Sequence, residues 1–191
     1  MCDARKASCL SESRVQKNIS FKSTLYSLVV NISIMEKYSF VTKWQIKAPM
    51  QQVWDAIYES TEWPAWWKGV VDVQVVEKND ENGVNGVRTY TWKSALPYKL
   101  SFQMRLTEKH EPKHMRGEAF GELEGLGEWF LEQHEDITYV RYNWDVFTNK
   151  AWMNYLSFIL KHAFKYNHDV VMRWGAEGLA KKLNTELVSY K

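Results

Sequence analysis

Six strand-like segments separated by turn residues precede one long segment without proline in this chain. The turn residues include Asn79–Gly83, a sequence typical of hairpin turns. The six segments are Val70–Glu77, Gly86–Lys93, Tyr98–Leu106, His114–Phe120, Trp129–His134 and Thr138–Phe147. Strands that follow one another in hairpins form an antiparallel sheet, and at least one apolar face of such a sheet must be covered.

The proline-free segment runs from Lys150 to about Leu183 and is predicted to be one amphipathic helix. Its side chains recur at steps of three and four residues, which gives the helix one face. That face comprises Met153, Leu156, Leu160, Ala163, Asn167, Val171 and Trp174. No other predicted element is long enough to cover the sheet.

The region before the hairpins contains one further strand and two short helices. Tyr38–Ile46 alternates as a half-buried strand does, Gln51–Ser60 follows Pro49 with helical spacing, and Glu62–Gly69 is a second helix or an aromatic turn. We therefore predict an α+β fold. A curved antiparallel β-sheet of about seven strands wraps around the long C-terminal helix, with two short helices after the first strand.

Residues 1–34 differ from the rest of the chain in charge and in cysteine content. They hold five Lys/Arg against two acidic residues, which leaves 20 basic and 21 acidic residues in 35–191. We expect 1–34 to be a disordered extension, a targeting segment or residues upstream of the natural start, and 35–191 to be a single domain. With a net charge of +2 for the whole chain, we expect no nucleic-acid partner.

Both cysteines, Cys2 and Cys9, lie in that same stretch. Residues 35–191 therefore hold no disulfide and no thiolate metal site, and a cytoplasmic location is expected. The longest apolar run, Leu25–Ile34, is too short and too polar for stable membrane insertion. We expect a monomer or a homodimer.

Ten tryptophans, all beyond residue 43, mark the folded part of the chain. An indole buries a large apolar area and carries an N–H that needs a partner. So many bulky rings on predicted strands and helices favour an aromatic core that is not completely filled.

Three segments resemble the START-like helix-grip superfamily, also called SRPBCC, and within it the polyketide cyclase/dehydrase and lipid transport branch. They are Ile46–Ile57, Leu123–Trp129 and Asn167–Leu179. The resemblance covers roughly residues 36–185 and implies an internal cavity for a hydrophobic small molecule. It implies no particular reaction, because the superfamily includes carriers, cyclases, hydrolases and chaperone cofactors.

We expect a mainly aromatic wall for that cavity, formed by the inward faces of the strands and of the helix. The expected ligand-binding residues are Trp66, Trp67, Tyr90, Trp92, Phe102, Met104, Trp129, Tyr142, Trp144, Leu156, Leu160, Phe164 and Asn167. Asn167 lies on the apolar face of the helix, so its amide needs a partner. A structural hydrogen bond between helix and sheet is favoured over ligand contact.

Four polar residues are candidates for acid–base chemistry: Arg88, Glu118, Tyr142 and His168. Arg88 and Glu118, together with Arg116, could face inward as a buried ion pair or as a holder of a ligand's polar group. A solvated outer face is an equal alternative. His168 and Asp169 are adjacent on a helix and do not face one another, so a catalytic pair is not expected.

Two further features have more than one interpretation. Trp63, Trp66 and Trp67 could form the mouth of the cavity or pack in the core. His110, His114 and His134 show no ligand spacing on a defined helix, so we expect no metal site. Because nucleotide-binding and hydrolase motifs are absent, we expect no cofactor.

These observations leave three functions. The first is a carrier or sensor that binds a hydrophobic small molecule such as a lipid or polyketide. The alternative is a polyketide cyclase/aromatase or dehydratase-type enzyme that uses the same cavity. The third is a protein-interaction module, which requires an exposed apolar patch such as the Trp63–Trp67 turn.

Overall fold

A computed structural model of the protein describes residues 37–93, 99–148 and 157–191, with side chains in the final helix described from residue 162 onward. The predictions for residues 1–34, for Tyr98 and for the start of the long helix lie outside these residues. The described strands form one antiparallel sheet of eight in the order β2-β3-β4-β5-β6-β7-β1-β8. They are β1 (Lys37–Ile46), β2 (Val70–Glu77), β3 (Val87–Lys93), β4 (Lys99–His110), β5 (His114–Gly121), β6 (Leu123–His134), β7 (Ile137–Thr148) and β8 (Leu187–Tyr190).

Three helices accompany the sheet in the described parts of the chain. Helix α1 spans Met50–Tyr58, a short 3-10 turn covers Ser60–Glu62, α2 spans Trp63–Trp66, and α3 is described from Ser157 to Lys182. The predicted α+β helix-grip fold is confirmed: a curved antiparallel sheet, two short helices after the first strand and a long C-terminal helix. None of the helices in the described regions combines the length and apolar character that crossing a membrane requires.

In β1 and β7, buried and solvent-exposed residues alternate along the strand as predicted. In β1, Tyr38, Thr42, Trp44 and Ile46 are buried and Phe40 is half-buried. In β7, the even-numbered positions from Thr138 to Thr148 are buried in the same way. These two strands pair along their full length, from Lys37 opposite Phe147 to Ile46 opposite Thr138.

Strand β6 begins six residues earlier than predicted and lies inside the sheet. Two glycines lie within this strand, and both Gly125 and Gly127 pair with β7 and with β5. A Cβ at position 125 would overlap the Asp145 carbonyl, and one at 127 would lie 2.7 Å from the Tyr142 hydroxyl. The glycines are therefore required by the close approach of neighbouring groups rather than by a break in the strand.

Strand β8 is the addition to the predicted seven. It pairs with the edge of β1, where Gln45 lies opposite Ser189, and the Lys43 and Lys191 backbones exchange two hydrogen bonds beside it. The strand is only four residues long and begins five residues after the end of the long helix, so its alternation is too brief to detect.

Helix α3 packs on the inner face of the sheet beside α2. The Trp67 indole lies against Gly175, where a Cβ would overlap its ring, and its N–H donates to the Val171 carbonyl at 2.8 Å. Gly178 gives the same clearance to the Trp66 backbone. Two glycines in a helix cost helix propensity, and here they allow the aromatic turn after α1 to contact α3 closely.

Candidate functional site

A cavity of about 210 Å³ lies between the inner face of the sheet, the turn after α1 and helix α3. By this measure a water molecule needs about 10–15 Å³, so the space corresponds to roughly fifteen waters. Small-molecule sites usually measure about 300–1,000 Å³, so this cavity is smaller than most of them and suits a compact ligand. The interior is therefore not packed solid.

Ten of the thirteen residues expected to bind ligand line this cavity. They are Trp67, Tyr90, Trp92, Phe102, Met104, Trp129, Tyr142, Trp144, Phe164 and Asn167. Leu156 and the Leu160 side chain lie outside the described residues. Trp66 does not reach the cavity, because the short helix directs it away: it stacks on Trp67 at 5.4 Å, close to Gly178 of α3.

The sheet side of the cavity is a continuous layer of aromatic rings. Tyr142 stacks on Trp129 with ring centroids 4.1 Å apart and on Trp144 at 5.8 Å. Phe102 lies 5.7 Å from Trp144, which extends the layer towards β4. Gly127 leaves the space into which the Tyr142 hydroxyl fits. Burial raises the pKa of Tyr142 well above its usual value, so this phenol is neutral and can donate a hydrogen bond.

A polar cluster interrupts the apolar wall where β3 meets the end of α1. The Arg88 Nη1 donates to the Tyr58 carbonyl at 3.0 Å and to the Ser60 hydroxyl at 2.9 Å. The Ser60 and Tyr90 hydroxyls are 2.8 Å apart, and burial raises the Tyr90 pKa. Among the described residues no carboxylate pairs with Arg88, so its guanidinium is available to an oxygen-rich group in the cavity.

The other two charged residues considered with Arg88 lie elsewhere. Glu118 is exposed on the outer face of β5, opposite Arg105 of β4, and Arg116 points to the same outer face. The inward ion pair is therefore wrong for Glu118. Residues of one parity in β5 share one face, and Met115 and Ala119 fill the inner one.

Helix α3 contributes two polar side chains to the opposite wall. The Asn167 Oδ1 is buried and accepts no hydrogen bond from any described residue, so no donor from the described part of the sheet reaches this oxygen. His168 stacks on Phe40 with ring centroids 4.2 Å apart, and neither ring nitrogen has a hydrogen-bond partner among the described residues. Burial lowers the His168 pKa to about 4, so the imidazole is neutral at pH 7.

His168 and Asp169 are neighbours in α3, but their side chains do not bind one another. Their closest nitrogen and oxygen are 3.7 Å apart, which is too long for a hydrogen bond, and Asp169 bonds Lys165 at 2.9 Å instead. The two side chains therefore share no hydrogen bond.

The Trp63–Trp67 turn packs in the core. Trp63 and Trp67 are buried, their rings are 4.9 Å apart, and both line the cavity from inside. A protein-interaction module would need an exposed apolar patch, and this turn does not form one. The turn therefore no longer supports that function.

A family model supplies the decisive comparison with known proteins. The model described as polyketide cyclase / dehydrase and lipid transport matches residues 46–169, more than half of the chain. The chain belongs to this family. No curated protein sequence matches the chain.

Solved structures share the fold of this chain at low sequence identity. The di-domain ARO/CYC BexL from the BE-7585A biosynthetic pathway is 14% identical with a TM-score of 0.58, and the match covers 89% of this chain and 60% of that one. A Thermus thermophilus protein is 15% identical with a TM-score of 0.62, covering 76% of this chain and 99% of that one. A Thalictrum norcoclaurine synthase is 6% identical with a TM-score of 0.55, covering 78% and 96%. At such identities the likeness shows the fold alone.

Several lining residues of this family member were not predicted from the sequence. Ser60 and Tyr58 hold Arg88 in place, and Gly127 makes room for Tyr142. The available signal for Ser60 was weak: a small polar residue at the end of a predicted helix usually indicates a surface turn. For Gly127 the signal was present, as a glycine within a segment that otherwise reads as a strand.

Proposed function

We propose that this chain is a non-enzymatic carrier or sensor that binds a hydrophobic small molecule, such as a lipid or polyketide, in its internal cavity. The observation that carries the proposal is the cavity of about 210 Å³, whose wall consists mainly of aromatic and aliphatic side chains. Burial of apolar ligand surface against such a wall contributes about 25 cal/mol per Å².

The polar groups on the wall suggest what the ligand carries besides its apolar body. Arg88 offers charged N–H donors, and the neutral Tyr142 hydroxyl offers another donor. Asn167 presents an oxygen without a donor among the described residues. We therefore propose a ligand with at least one oxygen acceptor, such as a carboxylate, enolate or ketone, and with one donor that reaches Asn167.

An enzyme of the cyclase/aromatase or dehydratase type is the second candidate, because Arg88, Tyr142 and His168 all line the same cavity. A guanidinium can stabilise an enolate, and an imidazole can accept a proton. However, a base with a pKa of about 4 is a poor match to neutral pH, where the best general bases have pKa values near 7. This mismatch favours binding over acid–base catalysis.

Native mass spectrometry of the freshly purified chain tests the binding proposal. We expect a co-purifying small molecule, or stoichiometric uptake from a panel of lipids and polyketides. Met104→Trp, which adds bulk on the inner face of β4, is expected to reduce uptake at least tenfold. Arg105→Trp is the matched control because its side chain is exposed on the outer face of the same strand. Consistent absence of uptake by the unmodified chain would refute the proposal.

Turnover of a poly-β-keto thioester mimic separates the two candidates. If the chain is an enzyme, Arg88→Met, Tyr142→Phe or His168→Gln reduces turnover at least tenfold, whereas Glu118→Gln on the outer face does not. Ligand binding with no turnover supports the carrier or sensor. The cytoplasmic location, the absence of a nucleic-acid partner and a monomeric or homodimeric state stay predictions from the sequence.

A further inference from the structure

Three potential metal ligands meet on the outer face of the hairpin formed by β4 and β5. Glu108, His110 and His114 each place one ligand atom within 4.8 Å of the others. The Glu108 Oε1 lies 2.8 Å from the His110 Nε2 and 3.6 Å from the His114 Nδ1. His110 and His114 are directly opposite one another in the antiparallel register, with ring centroids 5.9 Å apart. The expectation of no metal site rested on helical spacing, and that spacing does not detect ligands that face one another across a hairpin.

A β-bulge in β4 brings these residues to one face. Leu106 pairs with Gly117, whereas Glu108 pairs with Arg116, so two steps along β4 correspond to one step along β5. Without the extra residue, Glu108 and His110 would keep the parity of Leu106 and face the cavity. The bulge reverses that parity, and both side chains join His114 on the outside.

A second carboxylate supports His114 from the neighbouring strand. The His114 Nε2 is buried without a hydrogen bond and lies 3.8 Å from the Glu128 Oε1 of β6. A metal on Nδ1 leaves the proton on Nε2, which then points towards this carboxylate. Metal-bound histidines in proteins usually donate their second N–H in this way. The two negative charges of Glu108 and Glu128 exceed the one positive charge of the nearby Arg116, so the local electrostatics favour binding of a cation.

We propose that Glu108, His110 and His114 form a binding site for a divalent transition metal ion of the Zn²⁺ type. Two imidazoles and one carboxylate suit Zn²⁺, with a fourth position left for water. Metal–ligand bonds of about 2.0–2.1 Å place tetrahedral ligand atoms roughly 3.3–3.4 Å apart. The 3.6 Å separation fits that geometry closely, and the 2.8 Å separation opens by about half an ångström on binding. The exposed fractions of the His110 and Glu108 side chains, 67% and 43%, leave them free to rotate.

The site faces away from the cavity, so it does not depend on the function proposed for the cavity. A bound ion would join β4 to β5 directly and would hold β6 through Glu128. The same three side chains without a metal are ordinary histidine–carboxylate pairs on a surface, and the experiment distinguishes these two states.

Isothermal titration calorimetry of the untagged full chain with ZnCl₂ tests the site. The chain carries Cys2→Ser and Cys9→Ser, because free thiols also bind zinc. We expect one equivalent to bind with a dissociation constant below about 10 μM. His110→Ala or His114→Ala is expected to weaken binding at least tenfold, and Glu128→Gln about tenfold by loss of the supporting carboxylate. His134→Ala is the matched control, since His134 also pairs with a glutamate, at 3.7 Å, but has no second histidine beside it.

Two further measurements distinguish loss of the metal site from unfolding of a variant. Glu108→Gln preserves side-chain size and is expected to weaken binding without changing the circular dichroism spectrum. In the unmodified chain, Zn²⁺ should shift the imidazole resonances of His110 and His114 and raise the melting temperature. If no zinc binds at 1 mM, or if binding persists unchanged in both histidine variants, the three residues are not a metal site.

Discussion

His168 provides the sharpest test of the structure, because it is a titratable group inside the cavity wall. Its side chain is only 13% exposed and stacks on the Phe40 ring. Burial lowers its pKa from 6.5 to about 4, and the positive charge of Lys165 acts in the same direction, against the opposing effect of Asp169. The folded protein therefore disfavours the imidazolium that the unfolded chain forms readily.

This difference makes stability depend on pH in a defined window. As the pH falls below 6.5, the unfolded chain takes up a proton at this position before the folded chain does, so the free energy of unfolding decreases. With pKa values of 6.5 and about 4, the loss is about 2 kcal/mol at pH 5 and about 3 kcal/mol at pH 4. Below pH 4 both states are protonated and the loss levels off.

Urea unfolding followed by tryptophan fluorescence measures this loss at pH 7.5, 6 and 5. We expect the unmodified chain to lose about 2 kcal/mol more than His168→Phe between pH 7.5 and 5, since phenylalanine retains the stacking and cannot titrate. His134→Gln controls for an exposed histidine and should follow the unmodified chain. Parallel stability curves for the unmodified chain and His168→Phe would contradict the buried, neutral imidazole.

Three further substitutions test the cavity and its packing. Asn167→Leu removes an unpaired buried amide oxygen, so it should raise the free energy of unfolding of the ligand-free chain by about 1–2 kcal/mol and lower ligand affinity in native mass spectrometry. Gly127→Ala places a Cβ 2.7 Å from the Tyr142 hydroxyl and should cost about 1–3 kcal/mol in chemical denaturation while reducing ligand uptake. Gly175→Ala overlaps the Trp67 indole and should cost about 1–3 kcal/mol in the same assay, despite the better helix propensity of alanine.

Much of the fold could be predicted because its strands have one solvent-exposed face and one buried face. Alternation is unambiguous in β1 and β7, and in β4 Phe102, Met104 and Leu106 line the cavity as expected. The order of hairpins followed by a long helix then leaves few arrangements in which one helix covers one sheet. Most of the aromatic wall follows from the same parity.

The features that the sequence left open or misplaced have local geometric causes that a one-dimensional pattern does not carry. The faces of Arg88 and Glu118 stayed open in the sequence because they depend on strand register, and a shift of one residue exchanges the two faces. The bulge after Leu106 performs such a shift, and it places His110 on the outside. The Trp66 ring was assigned to the cavity although a four-residue helix turns it towards α3.

The polar groups on the cavity wall connect stability to function. Asn167 and His168 each bury a polar atom without a hydrogen bond among the described residues, and every such group costs about 1–3 kcal/mol. An apolar side chain at either position would fill the interior more stably, so the ligand-free fold carries a cost that packing alone does not explain. A ligand that supplies the missing donor to Asn167 recovers part of that cost on binding. For this reason we expect the true ligand to raise the melting temperature of the unmodified chain more than that of Asn167→Leu, whereas a purely apolar guest would raise both equally.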